Sequence, residues 1–473
     1  MALNVRILES VNPWWATGVL PARYATTIPR ESLPALMRGL SPSRVTLVLG
    51  PRRVGKTVLL HQLVGLLLGT GIAPRNIVYL SADDPILGDP ATLLPEVIEY
   101  LTSAEEILSR SSNEPHESAP IYLLADEIHA VSDWQRLVKG YVDRGAPIVF
   151  VLSSSAGAAL HKGARESLAG RAQDLALLPF SLAEFAAYRG SVAADLLRAA
   201  AAVWQDEGVG PVIERRAARV LTIDAESKGL GPELDRLTHD YLRLGGFPEY
   251  LSEEDTHRRA RYFAETVIER VIYQDVPAIA QIRSPFLMRE LLSMLLSRGP
   301  GIINIARLSS DFGVSHITVA EYLRIIHVTM LNFILDRYAS TPAGRQRGAK
   351  KSVPVDPGLV TALSGWDMQG QNARGYEGLL AEVVVHAWLR RHQSGFEILH
   401  WRESETKEVD FVIARSGALM PIEVKWRPQP RTRRLTGMDE FTRHYQPSFS
   451  LTVTRDSFEL AAERACVPLW MLG

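Results

Sequence analysis

The chain has 473 residues and a formal net charge of −1, with 52 Lys and Arg against 53 Asp and Glu. At roughly 100 to 200 residues per domain it has room for two to four domains, and 46% hydrophobic with 22% charged residues excludes both a disordered and a membrane-embedded chain. The charge balance excludes a globally basic nucleic-acid binder, and a single cysteine, Cys466, excludes an internal disulfide or a cysteine-held zinc.

Residues 1–20 lack the charged start, apolar core and cleavage site of a signal peptide. The apolar run from Val58 to Leu68 is interrupted by His61 and Gln62 and is too short for a bilayer, so a cytoplasmic protein is expected. Residues 1–40, with Pro13, Trp14 and Trp15, read as an arm that packs on the next domain. From Val45 the texture is α/β: VTLVLG, a helix from Lys56, IVYLSA (77–82), IYLLAD (121–126) and PIVFVLSSS (147–155). Short apolar runs alternating with helices predict a parallel sheet covered on both faces, with function at the C-terminal ends of its strands.

GPRRVGKT (50–57) matches GxxxxGK[ST] between a predicted strand and a predicted helix. Gly50, Pro51, Arg52, Arg53, Val54 and Gly55 supply a loop whose N–H groups wrap phosphates. Lys56 reaches the β and γ phosphates, and Thr57 offers its hydroxyl to Mg²⁺. In IYLLADEIHAVSDW, Asp126 and Glu127 emerge from an apolar strand. Asp126 is expected to hold Mg²⁺ and Glu127 to polarise the attacking water, with a helix cap as the rival role. Ser154, ending the next strand, is a candidate γ-phosphate sensor or a turn serine.

Residues 182–295 read as helices broken by GVGP, GLGP and GGFP. ARLSSDFGVSHITVAEYLRII (306–326), followed by FILDR and SVPVD, reads as a winged helix-turn-helix. The basic loop 341–351, TPAGRQRGAKK, is its wing, suited to phosphate contacts or simply solvated. The recognition helix offers only His316 and Arg324 beside apolar residues, which argues against specific base reading, so a structural role with non-specific DNA contact is expected.

In EVDFVIA and PIEVKW, period-two alternation puts Glu423 and Lys425 on one face. A hairpin through Arg415 to Gly417 brings Asp410 near them, and Glu382 on the preceding helix leans in. Acids from two strands with a lysine beside them suit metal-dependent phosphodiester hydrolysis, Asp410 and Glu423 being the metal ligands. Surface salt bridges would give the same alternation. Arg427, Arg431, Arg433 and Arg434 follow as a candidate backbone groove or a solvated turn.

NPWW, GPRRVGKT, ADEIHAVSDW, SSSAGAAL, ESLAGRAQDLALLPFSLAEF, YLRLGGFPEYL, the helix-turn-helix and EVDFVI…PIEVKW together resemble AAA-type ATPases of archaea and bacteria, close to the STAND and Orc-like ATPases, that carry a C-terminal restriction-endonuclease-like domain. Ser153 departs from the usual glycine. The resemblance implies a multidomain α/β chain. Its parts are an arm (1–40), a P-loop ATPase core with a parallel sheet (41–185), a helical lid (186–284), a winged helix-turn-helix (285–362) and a PD-(D/E)XK nuclease-like α/β domain (363–473). It also implies a homo-oligomer, Arg171 as a trans-acting or sensor arginine, and Pro248 against the adenine. The expected cofactors are ATP and Mg²⁺, with Mn²⁺ an alternative at the second site. The function expected is ATP turnover coupled to binding, remodelling or cleavage of structured DNA. The alternative is an ATP-controlled regulatory or defence switch whose C-terminal domain binds a partner without cutting.

Overall fold

A computed structural model of the chain describes residues 4–25, 28–103, 120–155, 168–203, 212–253, 255–341, 344–345, 348–366, 368, 373–393, 395–426, 436–461 and 463–473. They form two compact units, Met1–Leu177 with Tyr273–Gln281, and Leu178–Ile272 with Ile282–Gly473.

The first unit is built on β1 (Val45–Gly50), β2 (Ile77–Ser81), β3 (Ile121–Asp126), β4 (Ile148–Ser155) and β5 (Ala172–Ala176). All pair in parallel, in the order β2-β3-β4-β1-β5. The central strands β1 and β4 are buried at every position, as expected of a sheet covered on both faces. β2 lies at an edge, where its backbone would lack partners on one side. The arm supplies them. Trp14 and Trp15 donate their indole N–H groups to Ile77 O at 2.9 and 2.8 Å, and Asn12 exchanges hydrogen bonds with the Tyr79 carbonyl and N–H at 2.9 and 2.6 Å. The aromatic arm thereby closes the sheet edge with side chains instead of another strand.

The second unit begins with helices, among them Leu182–Tyr188, opened by a Ser181–Glu184 capping box, and Gly231–Leu244. The buried Asp356 caps the helix Pro357–Ser364 and also accepts the Gly246 N–H at 2.7 Å. At Gly358 only a glycine fits, since a Cβ would stand 2.0 Å from Leu244 O. Helices Ile305–Phe312 and His316–Val328 form a helix-turn-helix beside a small antiparallel sheet, β6 (Gly301–Ile303), β7 (Asn332–Leu335) and β8 (Lys350–Pro354), ordered β6-β8-β7.

The C-terminal sheet contains β9 (Glu397–Arg402), β10 (Glu408–Arg415), β11 (Ala418–Lys425), β12 (Ser450–Thr454), β13 (Glu459–Ala461) and β14 (Arg464–Pro468), in the order β13-β14-β12-β11-β10-β9. β10 and β11 form the expected hairpin, turned by Ser416 and Gly417 at φ 49 and 88, the signs of a type I′ turn. Helix Ala373–Arg391 precedes the sheet, and Thr436–Tyr445 carries the chain from β11 to its parallel neighbour β12. Trp401, Val409, Val412 and Phe441 pack in its core.

The fold is thus multidomain α/β with a five-stranded parallel sheet and further sheets toward the C-terminus. The predicted lid, helix-turn-helix and C-terminal segments share one compact unit, and Tyr273–Gln281, assigned to the lid, packs with the first unit instead. Among the described residues no helix is long and apolar enough to cross a membrane.

Candidate functional site

Gly50 ends β1, and Gly55, at φ 93, precedes the helix Lys56–Gly69. A Cβ on Gly50 would stand 2.1 Å from Leu177 O, so the loop turns where only glycine fits. Pro51, Arg52, Arg53 and Val54 span the gap, Arg53 in the left-handed region at φ 68. Arg30, a residue the sequence did not single out, is 4% exposed and donates Nη1 to Val54 O at 2.5 Å. The arm thus braces the loop as well as the sheet edge.

Lys56 is buried, with Nζ 3.3 Å from both the Gly50 and Pro51 carbonyls and 3.7 Å from Glu127 Oε1. These are long contacts, mostly to neutral acceptors, which phosphate oxygens can replace with stronger charge-assisted bonds. Asp126, ending β3, accepts the Thr57 hydroxyl on Oδ2 at 2.5 Å and the Ser153 hydroxyl on Oδ1. Ser153 is therefore a partner of the acid. Thr57 and Asp126 place two hard oxygen donors side by side, the donor set Mg²⁺ takes, and these residues fit it. The ion, when bound, neutralises phosphate charge.

Glu127 follows in the left-handed region at φ 48, an uncommon backbone for a glutamate and a local strain of the kind kept at functional positions. Burial alone would raise its pKa, but Lys56, His129 and Arg52 outweigh burial and hold it at about 2. It is an ionised carboxylate at any ordinary pH. His129 Nδ1 lies 3.3 Å from Glu127 Oε2 and 3.3 Å from Ser154 Oγ, which links the predicted sensor serine to the acid through a ring.

The loop has one more anchor. Arg52 Nε donates to both oxygens of Asp275 at 3.0 and 2.9 Å, and Asp275 is 2% exposed. The two lie 223 residues apart, so no local spacing connects them. The only sequence signal is an acid inside the apolar run VIYQDVPAI.

Arg171 ion-pairs with Asp143, and its carbonyl accepts the Val45 N–H at 2.7 Å. That places its backbone at the start of β1, five residues or about 16 Å along the strand from Gly50. Pro248 opens a short turn, Pro248–Tyr250, in the second unit.

The predicted nuclease-like quartet does come together. Asp410 lies where β10 bulges against β9, and its Oδ2 accepts the Val424 N–H at 2.9 Å. Glu423 ion-pairs with Lys425. A fifth residue joins them: Lys351, on the central strand β8, sits 2.8 Å from Glu382 Oε2 and 3.1 Å from Asp410 Oδ1. Glu382 and Glu423 are each raised to about 7, first by burial and then by Asp410, against the pull of the lysines. The sequence reading missed Lys351 by placing it on a basic wing suited to phosphate contacts. Its signal was phase: in KKSVPVD it stands in step with the buried Val353 and Val355. With its ammonium between Glu382 and Asp410, the residues present do not fit a divalent metal.

In the basic wing, Arg345 pairs with Glu397 at 2.6 Å, Lys350 pairs with Asp336 at 2.5 Å, and Lys351 is buried. Arg427, Arg431, Arg433 and Arg434 lie outside the described residues, as do parts of the 341–351 loop.

A P-loop on the C-terminal edge of a five-stranded parallel sheet, followed by paired acids on a neighbouring strand, defines a nucleotide-binding ATPase domain. Residues 42–186 match the family described as AAA domain, so the chain carries an AAA-type P-loop ATPase domain. Residues 235–370 and 377–472 match two families described as domains of unknown function. The chain is 21% identical over 407 residues to an uncharacterized protein of Haemophilus influenzae, covering 85% of this chain and 87% of that protein. It is 24% identical over 383 residues to one of Methanocaldococcus jannaschii, covering 79% and 73%. Among solved structures, AMPPCP-bound DnaA from Aquifex aeolicus shares 15% identity, covers 65% of this chain and 92% of its own, and has a TM-score of 0.25. CDC6P from Pyrobaculum aerophilum shares 14% identity over 76% and 97%, with a TM-score of 0.24.

Proposed function

We propose that the protein is an ATP-hydrolysing switch in which the P-loop unit turns over ATP and the C-terminal unit binds a partner without cutting it. The observation that carries the first half is the alignment of Lys56, Thr57, Asp126 and Glu127 at one end of the sheet. Lys56 exchanges its loop carbonyls for phosphate oxygens, Thr57 and Asp126 hold Mg²⁺, and the ionised Glu127 orients water toward the γ-phosphate. The second half is supported by Lys351, which pairs with Asp410, one of the two expected metal ligands, and with Glu382, the supporting acid.

A DNA-coupled motor is the other reading, favoured by the helix-turn-helix, whose second helix exposes His316, Ile317 and Arg324. ATP turnover with and without duplex, single-stranded and branched DNA separates the two. A switch hydrolyses at a rate DNA does not change and leaves every DNA intact with Mg²⁺ or Mn²⁺. DNA-stimulated turnover would establish the motor, and Asp410-dependent cleavage would restore the nuclease. Loss of turnover in Glu127→Gln with nucleotide binding retained is the check on the ATPase itself. Pro248 against the adenine and Arg171 as a residue supplied to another copy remain parts of this proposal.

A further inference from the structure

We infer that Lys351 is a resident cation of the C-terminal carboxylate cluster, paired with Asp410, one of the two acids expected to ligate a divalent ion, so that this unit excludes Mg²⁺ and Mn²⁺. The inference rests on the reading of the C-terminal unit as a binding module and supplies its physical cause.

Both oxygens of Asp410 are engaged, Oδ1 by the Lys351 ammonium and Oδ2 by the Val424 N–H. Glu382 gives Oε2 to Lys351 at 2.8 Å, and Glu423 Oε1 is taken by Lys425. Of the six carboxylate oxygens two stay open, Glu382 Oε1 and Glu423 Oε2, the latter buried and without a hydrogen-bond partner. They belong to two acids that each give their other oxygen to an ammonium group, so a Mg²⁺ ion drawing on both, with water completing its octahedron, would have to share both carboxylates with a lysine. Among the described residues, no group of three Asp, Glu, His or Cys side chains is disposed to hold a metal ion.

Charge leads to the same result. With all three acids ionised, the carboxylates exceed the two ammonium groups by one negative charge, and with Glu382 and Glu423 raised to about 7 the excess at neutral pH is smaller still. Glu408, the next acid along β10, is answered by Arg402 at 3.5 Å. A divalent ion added to this cluster would make it net positive, with two ammonium groups as neighbours in a buried site where such repulsion is barely screened.

Lys351 is also fixed in place. β8 pairs with β6 through Ile302 and with β7 through Leu335 at this very residue, so the backbone cannot shift without opening both ladders. The side chain is 3% exposed, and its ammonium lies 5.1 Å from the centroid of the Phe411 ring, a further cation-stabilising contact. The lysine thus joins β8 to the helix Ala373–Arg391 and to β10, using as a joint the acids that elsewhere would serve chemistry.

The test is Mn²⁺ binding to the full chain without nucleotide, followed by electron paramagnetic resonance, on wild type, Asp410→Asn, Lys351→Met and the Lys351→Met/Asp410→Asn double variant. DNA cleavage is assayed in parallel. Wild type should show no Asp410-dependent Mn²⁺ site up to roughly 1 mM. Lys351→Met should gain one, tighter by on the order of 100-fold, and the double variant should lose it. Wild type that binds Mn²⁺ in an Asp410-dependent way overturns the inference, as does a folded Lys351→Met protein that gains no site. If Lys351→Met does not fold, the comparison of wild type with Asp410→Asn still decides. Mn²⁺ bound by wild type without cleavage sinks this inference alone, whereas cleavage by wild type sinks the binding-module reading as well.

Discussion

The two carboxylate and lysine clusters of this chain use the same residue types and reach opposite ends. At the P-loop, Lys56 rests at 3.3 Å on two backbone carbonyls and at 3.7 Å from Glu127, while Asp126 holds hydroxyls. Each partner there is neutral or distant, so a triphosphate and a hard cation can take its place. In the C-terminal sheet Lys351 sits at 2.8 and 3.1 Å from two ionisable acids with its side chain 3% exposed. Bonds between charged partners are roughly twice as strong as neutral ones, and a buried pair loses more when one member leaves. What separates a site from a joint is whether the resting partners can be displaced, and residue type does not report that.

The largest effect expected from this contrast is on folding. Lys351→Ala strands Glu382 and Asp410 as buried, uncompensated acids and should destabilise the second unit by about 3–5 kcal/mol, read as a lowered urea midpoint. A loss below about 1 kcal/mol would mean that the lysine is not part of the fold's interior and would break the contrast.

Next comes the open cluster. Lys56→Ala should abolish ATP turnover, by roughly 10²–10³-fold or more, together with nucleotide affinity. Glu127→Gln should lose turnover by a similar factor and keep affinity. Phosphate release and fluorescent-nucleotide binding measure the split. Because Glu127 sits at about 2, against an unfolded value of 4.5, its ionised form contributes stability above pH 4.5 that fades only as pH falls toward 2. An acid limb at pH 5 to 6 in kcat/KM, which reports the free enzyme, therefore belongs to another group. Retention of that limb in a residual-activity variant of Glu127 would agree.

The same contrast explains what could be read from the sequence. The P-loop was legible because eight consecutive residues between a strand and a helix fix their own geometry, and Asp126 with Glu127 because an apolar strand delivers them. The hairpin register was legible through the alternation in EVDFVIA and PIEVKW and the Ser416–Gly417 turn. Lys351 was misread because its neighbours Arg345, Arg347 and Lys350 make a basic run, and composition speaks louder than phase in a short strand. Its partner Asp410 is 59 residues away. Asp275 was illegible for the same reason at larger scale, since nothing in the run VIYQDVPAI points to an arginine on a loop 223 residues earlier.

That long-range pair gives a sharper test of displaceability. Arg52 belongs to the phosphate loop, yet its guanidinium is held by Asp275, so the pair positions the loop and does not touch the reacting atoms. Asp275→Asn should raise KM for ATP more than it lowers kcat. A double-mutant cycle with Arg52→Gln should give a coupling of about 0.5–3 kcal/mol. Equal losses in kcat and KM terms, or no coupling, would place Arg52 on the nucleotide instead.

The smallest effect should come from Arg171. Its guanidinium pairs with Asp143 on a surface where both side chains are substantially exposed, 40% and 38%, and such pairs contribute about 0–1 kcal/mol. It stands at the opposite end of β1 from Gly50, so within one chain it has no route to the phosphates. Arg171→Ala should therefore leave stability and the turnover of a dilute, monomeric sample within about twofold. If the residue acts on another copy, the loss appears only where turnover rises with protein concentration. There, mixing Arg171→Ala with Glu127→Gln should recover activity, because one protein keeps an intact acid and the other an intact arginine. A variant that loses activity when monomeric would contradict the placement, since an arginine at the far end of the strand cannot stabilise charge at the near one.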